Sequence, residues 1–294
     1  MRLNPFFSAT ILALVLTACG GEQPQQDTLT VQPVDSTAAV RSQRTRNIFH
    51  NIPSPMETAE LLRKAGAEYS KDILNDVKNV DNYTSASKQA LNLGIYGADL
   101  SYASVFNNTQ ESMLYTSCAQ KLAKKLDVNN AFNEAVVNRL EQNRNNRDSL
   151  LNIISETYWQ VDGYLKENGR DNISVLMVAG GWMEGLYIAT QVIAGHDTPE
   201  LRQRIAEQRI PLEDLVELVK TYSPDDPAVA GVLKDLESIQ ALFAQVTVPQ
   251  GGSTITEENG VTVIGGTAPT AALTDDQLKS ITQAVAAIRA NYIS

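Results

Sequence analysis

Two stretches of this chain each carry one charge on an otherwise uncharged helical pattern. In "QALNLGIYGADLSYASVFNNTQ" (residues 89–110) the charge is Asp99, and in "ISVLMVAGGWMEGLYIATQVIAG" (residues 173–195) it is Glu184. Each acid stands three residues before a tyrosine, giving the pairs Asp99/Tyr102 and Glu184/Tyr187. A lone carboxylate is expensive to bury unless it is hydrogen-bonded or paired. Two chemistries follow. Each acid can be structural, held by a tyrosine hydroxyl, an arginine or a helix N-terminus. Alternatively, the two can face one pocket as perturbed carboxylates, the arrangement that acid–base chemistry or small-ligand recognition uses. The sequence favours the structural role, and Asp99, Tyr102, Glu184 and Tyr187 are the candidate ligand-binding set of the alternative.

The surrounding small residues bear on the same choice. Gly181, Gly185 and Ala189 recur every four residues, and Gly94, Gly97, Ala98, Ser101 and Ser104 form a second stripe. Small residues at helical spacing let two helix axes approach closer than the usual 8–10 Å or so. Interior glycine costs up to about 1 kcal/mol relative to alanine, which close packing offsets. The expectation is a helix crossing at Gly181 and Gly185 with Glu184 structural. A phosphate loop is excluded, since there is no Gly-x-x-x-x-Gly-Lys and no preceding strand. Residues 173–195 are long and apolar enough to span a bilayer, but the companion helix is too polar to follow.

Other catalytic sets are poorly supported. The histidines, His50 and His196, are far apart in sequence, and with one spare cysteine they make no typical zinc site. No Gly-x-Ser-x-Gly occurs, and nothing suggests a Ser-His-Asp set; no metal and no cofactor is expected. Cys118 lies on a helical pattern beside Leu114 and Leu122 and reads as a buried small apolar residue. Arg139, Arg144 and Arg147 read as a solvated turn.

The elements that position these residues are helical. Ser54-Pro55-Met56-Glu57 supplies an N-cap, a proline at the first helical position and an acid at the third, and the helical signal runs on through Leu74. Further helices are predicted at roughly 83–106, 109–126, 130–143, 147–167, 172–194, 198–208, 211–221 and 226–246, separated by short polar breaks. Residues 247–273 are rich in Gly and Thr, and Asn259-Gly260 between β-branched flanks predicts a hairpin. Residues 274–294 read as a capped closing helix with Leu278, Ile281, Val285, Ile288 and Tyr292 on one face. The expected fold is all-α: an antiparallel multi-helix bundle or helical-repeat body over 51–246, a small C-terminal β-hairpin within 247–273, and the closing helix packed on the body. The likeness of the two acid-bearing helices is compatible with an old duplication of a four-helix unit.

The N-terminus sets the expected compartment. Arg2, an apolar run over residues 6–16 and small residues before Cys19 make a secretory signal, too short to span as a mature helix. Leu16-Thr17-Ala18-Cys19-Gly20 resembles a bacterial lipobox. The resemblance implies removal of residues 1–18 and acylation of Cys19, and Gly20 in place of Asp favours the outer membrane. Residues 19–50 then form the lipidated Cys and a tether of Gln, Thr, Ser and Pro with too little apolar surface to fold. Lys+Arg 24 against Asp+Glu 34 gives −10, or −11 once Arg2 leaves with the signal, which argues against nucleic acid as a partner. The expected partners are the bilayer, through acylated Cys19, and an unidentified envelope protein or small ligand.

By "NIPSPMETAELLRKAGAEY", "NLGIYGADLSYASVF" and "LTDDQLKSITQAVAAIR" the chain resembles a group of lipoproteins of the Bacteroidota for which no activity is known. That resemblance implies a Gram-negative envelope. In that setting residues 27–29 and 35–37 resemble a short O-glycosylation sequon. It carries over no functional residue. The overall expectation is a non-enzymatic binding or scaffold module on a membrane anchor, with an enzyme or small-ligand sensor using Asp99 and Glu184 as the alternative.

Overall fold

The computed structural model describes residues 52–222, 226–246 and 273–294, together with the backbone of 254–258 and 261–265. Cys19, His50 and the expected signal and tether lie outside the described residues. The helices are α1 (Pro55–Lys64), α2 (Ala86–Val105), α3 (Thr109–Lys125), α4 (Glu134–Gln142), α5 (Arg147–Glu167), α6 (Asp171–Gly195), α7 (Pro199–Glu207), α8 (Arg209–Tyr222), α9 (Pro227–Phe243) and α10 (Asp275–Ile293). The helical class is as expected. The stretches Thr254–Glu258 and Val261–Gly265 run as an antiparallel pair in backbone register. The fold that the described core supports is the helical one; a hairpin folded onto it finds no support there.

Local rules set the helix ends. Ser54 and Glu57 close a reciprocal capping box on α1: the Ser54 N–H donates to Glu57 Oε2 at 2.7 Å and the Glu57 N–H to Ser54 Oγ at 3.2 Å. Thr274 and Gln277 do the same for α10. The first helix is shorter than its sequence suggested. It stops at Lys64 because Gly66 takes φ +90°, and the N–H groups of Gly66 and Ala67 turn back to the carbonyls of Arg63 and Leu62. The residues from Ala67 to Ser85 are therefore not helical, apart from a 3₁₀ turn at Val77–Asp81. This loop turns out to be part of the core.

Helix α6 is the axis of the body. It is apolar on all sides, which is the pattern of a helix enclosed by protein, and it touches α1, α2, α5, α7, α8, α9 and α10. It is also the one described helix long and apolar enough to cross a membrane; 94% of its most apolar stretch is buried within the body.

The closest crossing is that of α6 with α2, and glycines make it. A Cβ at Gly94 would stand 2.0 Å from the Met177 carbonyl oxygen, and one at Gly180 would stand 2.1 Å from that of Leu91. Gly181 faces Pro55 and Gly94, while Gly185 faces the Thr58 methyl group of α1 at 3.1 Å. The expected crossing is therefore real but turned by one residue, toward Gly180. Gly94 and Gly180 hold the backbone contact; Gly181 borders it, and Gly185 receives a different helix.

Candidate functional site

Asp99 on α2 and Glu184 on α6 are both fully buried, and the crossing brings them together. The residue that organises them is Arg289 on α10. Its Nε donates to Glu184 Oε2 at 2.9 Å and its Nη2 to Glu184 Oε1 at 2.7 Å, a two-pronged ion pair. The guanidinium lies 4.4 Å from the centre of the Tyr187 ring, and its Nη2 also reaches the Ile73 carbonyl at 3.4 Å. Burial pulls the Arg289 pKa down, but the Glu184 contact outweighs it and holds the guanidinium above its ordinary value.

One cation thus serves two acids. Asp99 is pushed well above the usual carboxylate range, first by burial and next by the negative charge of Glu184. Both causes favour its protonated form beside Glu184. Asp99 Oδ2 accepts from the Asn75 backbone N–H at 3.3 Å, while Oδ1 has no hydrogen-bond partner among the described residues. The site is a closed structural unit: one guanidinium and two carboxyl groups enclosed together in the core.

A chain of amides continues it. Asn75 Nδ2 donates to the Tyr83 hydroxyl at 3.0 Å and to Asn92 Oδ1 at 3.3 Å. Asn92 Nδ2 donates to the carbonyls of Lys88 and Tyr292, both at 2.9 Å. Asn75 and Asn92 are fully buried. The network binds the 67–85 loop, the central helices and the closing helix into one piece.

Of the four candidate residues, three meet here: Asp99, Glu184 and Tyr187. Tyr102 does not. Its hydroxyl donates to the Glu68 carbonyl at 2.7 Å and accepts from the Ser70 N–H at 3.2 Å, its ring stacks on Tyr69 at 5.2 Å, and burial pushes it up to about 12. The Asp99/Tyr102 and Glu184/Tyr187 spacings are therefore not equivalent pairs. Sequence reading missed Arg289, Asn75 and Asn92. Arg289 left a trace, since it follows Val285 by four residues on the apolar stripe of α10, where a cation has no reason to be unless an acid waits for it.

The other candidates separate by burial. Cys118 is buried near the Val77 carbonyl, and burial raises its thiol to about 11. Arg139 pairs with Glu156 at 2.9 Å at the surface, whereas Arg147 reaches Glu60 at 3.2 Å in a partly buried pair. Among the described residues no group of His, Cys, Asp and Glu is arranged to hold a metal ion. No family model matches this chain, and neither a curated protein nor a solved structure matches it.

Proposed function

We propose that this chain is a membrane-anchored envelope lipoprotein whose helical body serves as a non-enzymatic binding or scaffold module. The signal over residues 1–18, the lipobox-like Leu16–Gly20 stretch and the resemblance to Bacteroidota lipoproteins support the anchor, with the outer membrane as its place. Acylation of Cys19 gives more than the two membrane signals that stable anchoring takes. A finer picture belongs to the same proposal: antiparallel helices over 51–246, the Gly/Thr-rich segment 247–273 with its hairpin, and a tether over 19–50.

The observation that carries the non-enzymatic part is the enclosure of the carboxylates. Glu184 is engaged by Arg289 on both oxygens and both acids have no exposed surface, so a substrate would have to break the core to reach them. The competing reading, an enzyme or small-ligand sensor built on Asp99 and Glu184, draws on the raised pKa of Asp99, which is what a general acid needs.

Fractionation tests the anchor. Cys19→Ala should leave the body folded and release it from membranes; variant protein remaining in the pellet after a carbonate wash overturns it. Crosslinking in envelope membranes, run beside a thermal-shift screen of polar metabolites, tests the module. A specific protein partner supports the scaffold. A polar metabolite whose stabilisation disappears in Asp99→Asn supports the enzyme or sensor.

A further inference from the structure

A crevice of about 50 Å³ lies between α1, α2, α5 and α6, away from the buried acids. Met56, Leu93, Leu100, Phe132, Ile154 and Met177 are among its lining residues, and no charged side chain lines it. Two hydroxyls at its wall are already engaged: Ser101 donates to the Gly97 carbonyl and Thr157 to that of Ile153, each at 2.7 Å. With roughly 10–15 Å³ needed per water, the space holds about three to five, but it offers them few polar partners, and apolar cavities of this kind stay dry.

Gly97 is the second observation. Gly94, Gly180, Gly181 and Gly185 all have heavy atoms within 4 Å of where a Cβ would be; Gly97, in the middle of the same buried helix, has none and faces the crevice instead. A glycine inside a helix is destabilising relative to alanine, and here no packing contact requires it. Its effect is to keep the crevice open. Gly97, Ser155 and Tyr158 are the half-buried members of the lining, so the opening is on their side.

We propose that this crevice binds a single unbranched aliphatic chain. The wall is apolar, so it recognises hydrocarbon rather than a head group. At about 50 Å³ the space is well below the roughly 150 Å³ of an apolar cavity that admits benzene, so it takes a few methylenes at the end of a chain rather than a ring. Met56 and Met177 are unbranched and adaptable, which lets the wall follow a chain. The inference rests on the reading of the body as a binding module and deepens it by naming the ligand class. The chain has two possible sources with the same chemistry: the acyl group proposed on Cys19 of this protein, or a free amphiphile.

The test is calorimetric titration of the mature full chain carrying Cys19→Ala with n-alkanols from butanol to decanol. Affinity should climb about fourfold per methylene and level off once the crevice is full, and cyclohexanol should bind more weakly than hexanol. Gly97→Leu should fold with an undiminished melting temperature and lose at least tenfold in affinity; Gly97→Ala is the milder variant should leucine prevent folding. Affinity independent of chain length, or full-strength binding by a folded Gly97 variant, overturns the proposal. The same titration on membrane-extracted protein separates the sources. Binding only after Cys19 is replaced identifies the protein's own acyl chain, and equal binding by both forms identifies a free amphiphile. Failure of the anchor shows in fractionation and removes only the comparison of sources; titration of the Cys19→Ala chain stands on its own.

Discussion

Arg289 and Glu184, 105 positions apart, form the only ion pair among the described residues in which neither side chain has more than a tenth of its surface exposed. Removing one partner of such a pair typically costs about 3–5 kcal/mol, because the other is left buried and uncompensated. Arg289→Met keeps much of the side-chain volume and removes the charge. Urea unfolding should show a loss of about that size, and a loss below about 1 kcal/mol would mean that water reaches Glu184.

Glu184→Gln should be milder, because Asp99 can give up its proton and take over as the counter-charge. The double variant Asp99→Asn/Glu184→Gln leaves Arg289 with no acid at all. It should cost more than the sum of the two single changes by at least about 1 kcal/mol, within the range expected of coupled neighbours. Additive costs in a double-mutant cycle would show that the acids do not share Arg289.

Asp99 also sets a pH dependence of definite sign. Its pKa is raised in the folded state, so above the unfolded value near 3.9 the folded chain holds a proton that the unfolded chain has released. Stability therefore falls as pH climbs from about 4 toward the folded pKa, by at most about 1.4 kcal/mol per pH unit for this one group. Asp99→Asn keeps a donor toward Glu184 and an acceptor for the Asn75 N–H while removing the titration. It should be more stable than the parent at pH 7, with the difference shrinking toward pH 4. Parallel stability–pH curves for the two proteins would contradict this.

The glycines make a graded series. Gly94→Ala and Gly180→Ala each drive a methyl group into a carbonyl of the facing helix and should cost 3 kcal/mol or about that, at or beyond the upper end of ordinary overpacking. Gly185→Ala meets only the Thr58 methyl at 3.1 Å and gains helix propensity, so it should be neutral to within about 1 kcal/mol. Thermal melts of the three order them, and a Gly180→Ala melt matching the parent would mean that the two helices can slide apart freely.

Cys118 gives a clean reporter of opening. Its burial and its thiol at about 11 predict negligible alkylation of the native protein at pH 8. Labelling should appear only along the unfolding transition. Fast labelling of folded protein would place that stretch of α3 among locally opening regions.

Much of this was legible before any coordinates. Helix positions followed from apolar periodicity and caps, because those signals are local: Ser54 with Glu57, Thr274 with Gln277, and the breaks at Asn107 and Gly169. The suspicion that fell on Asp99 and Glu184 was sound, since a charge on an uncharged helix must find something. What the sequence could not say was which something. Arg289 is paired by tertiary packing, and nothing near residue 289 in the chain points to residue 184. The glycine face misled at Gly185, which meets α1, because both α2 and α6 carry more small residues than one crossing uses. The stretch after Gly66 misled for a different reason: its helical periodicity was outweighed by the positive φ at that glycine, and the resulting loop delivers Asn75 to the acids.

The position of Arg289 has a consequence for how the chain is made. It follows Glu184 by 105 residues, so the acid is synthesised well before the guanidinium that neutralises it. Until α10 docks, Glu184 has no cation in the core, and burying it uncompensated is costly. Closure of the interior around α6 therefore waits on a segment far along the chain, and the buried pair ties the two into one cooperative unit.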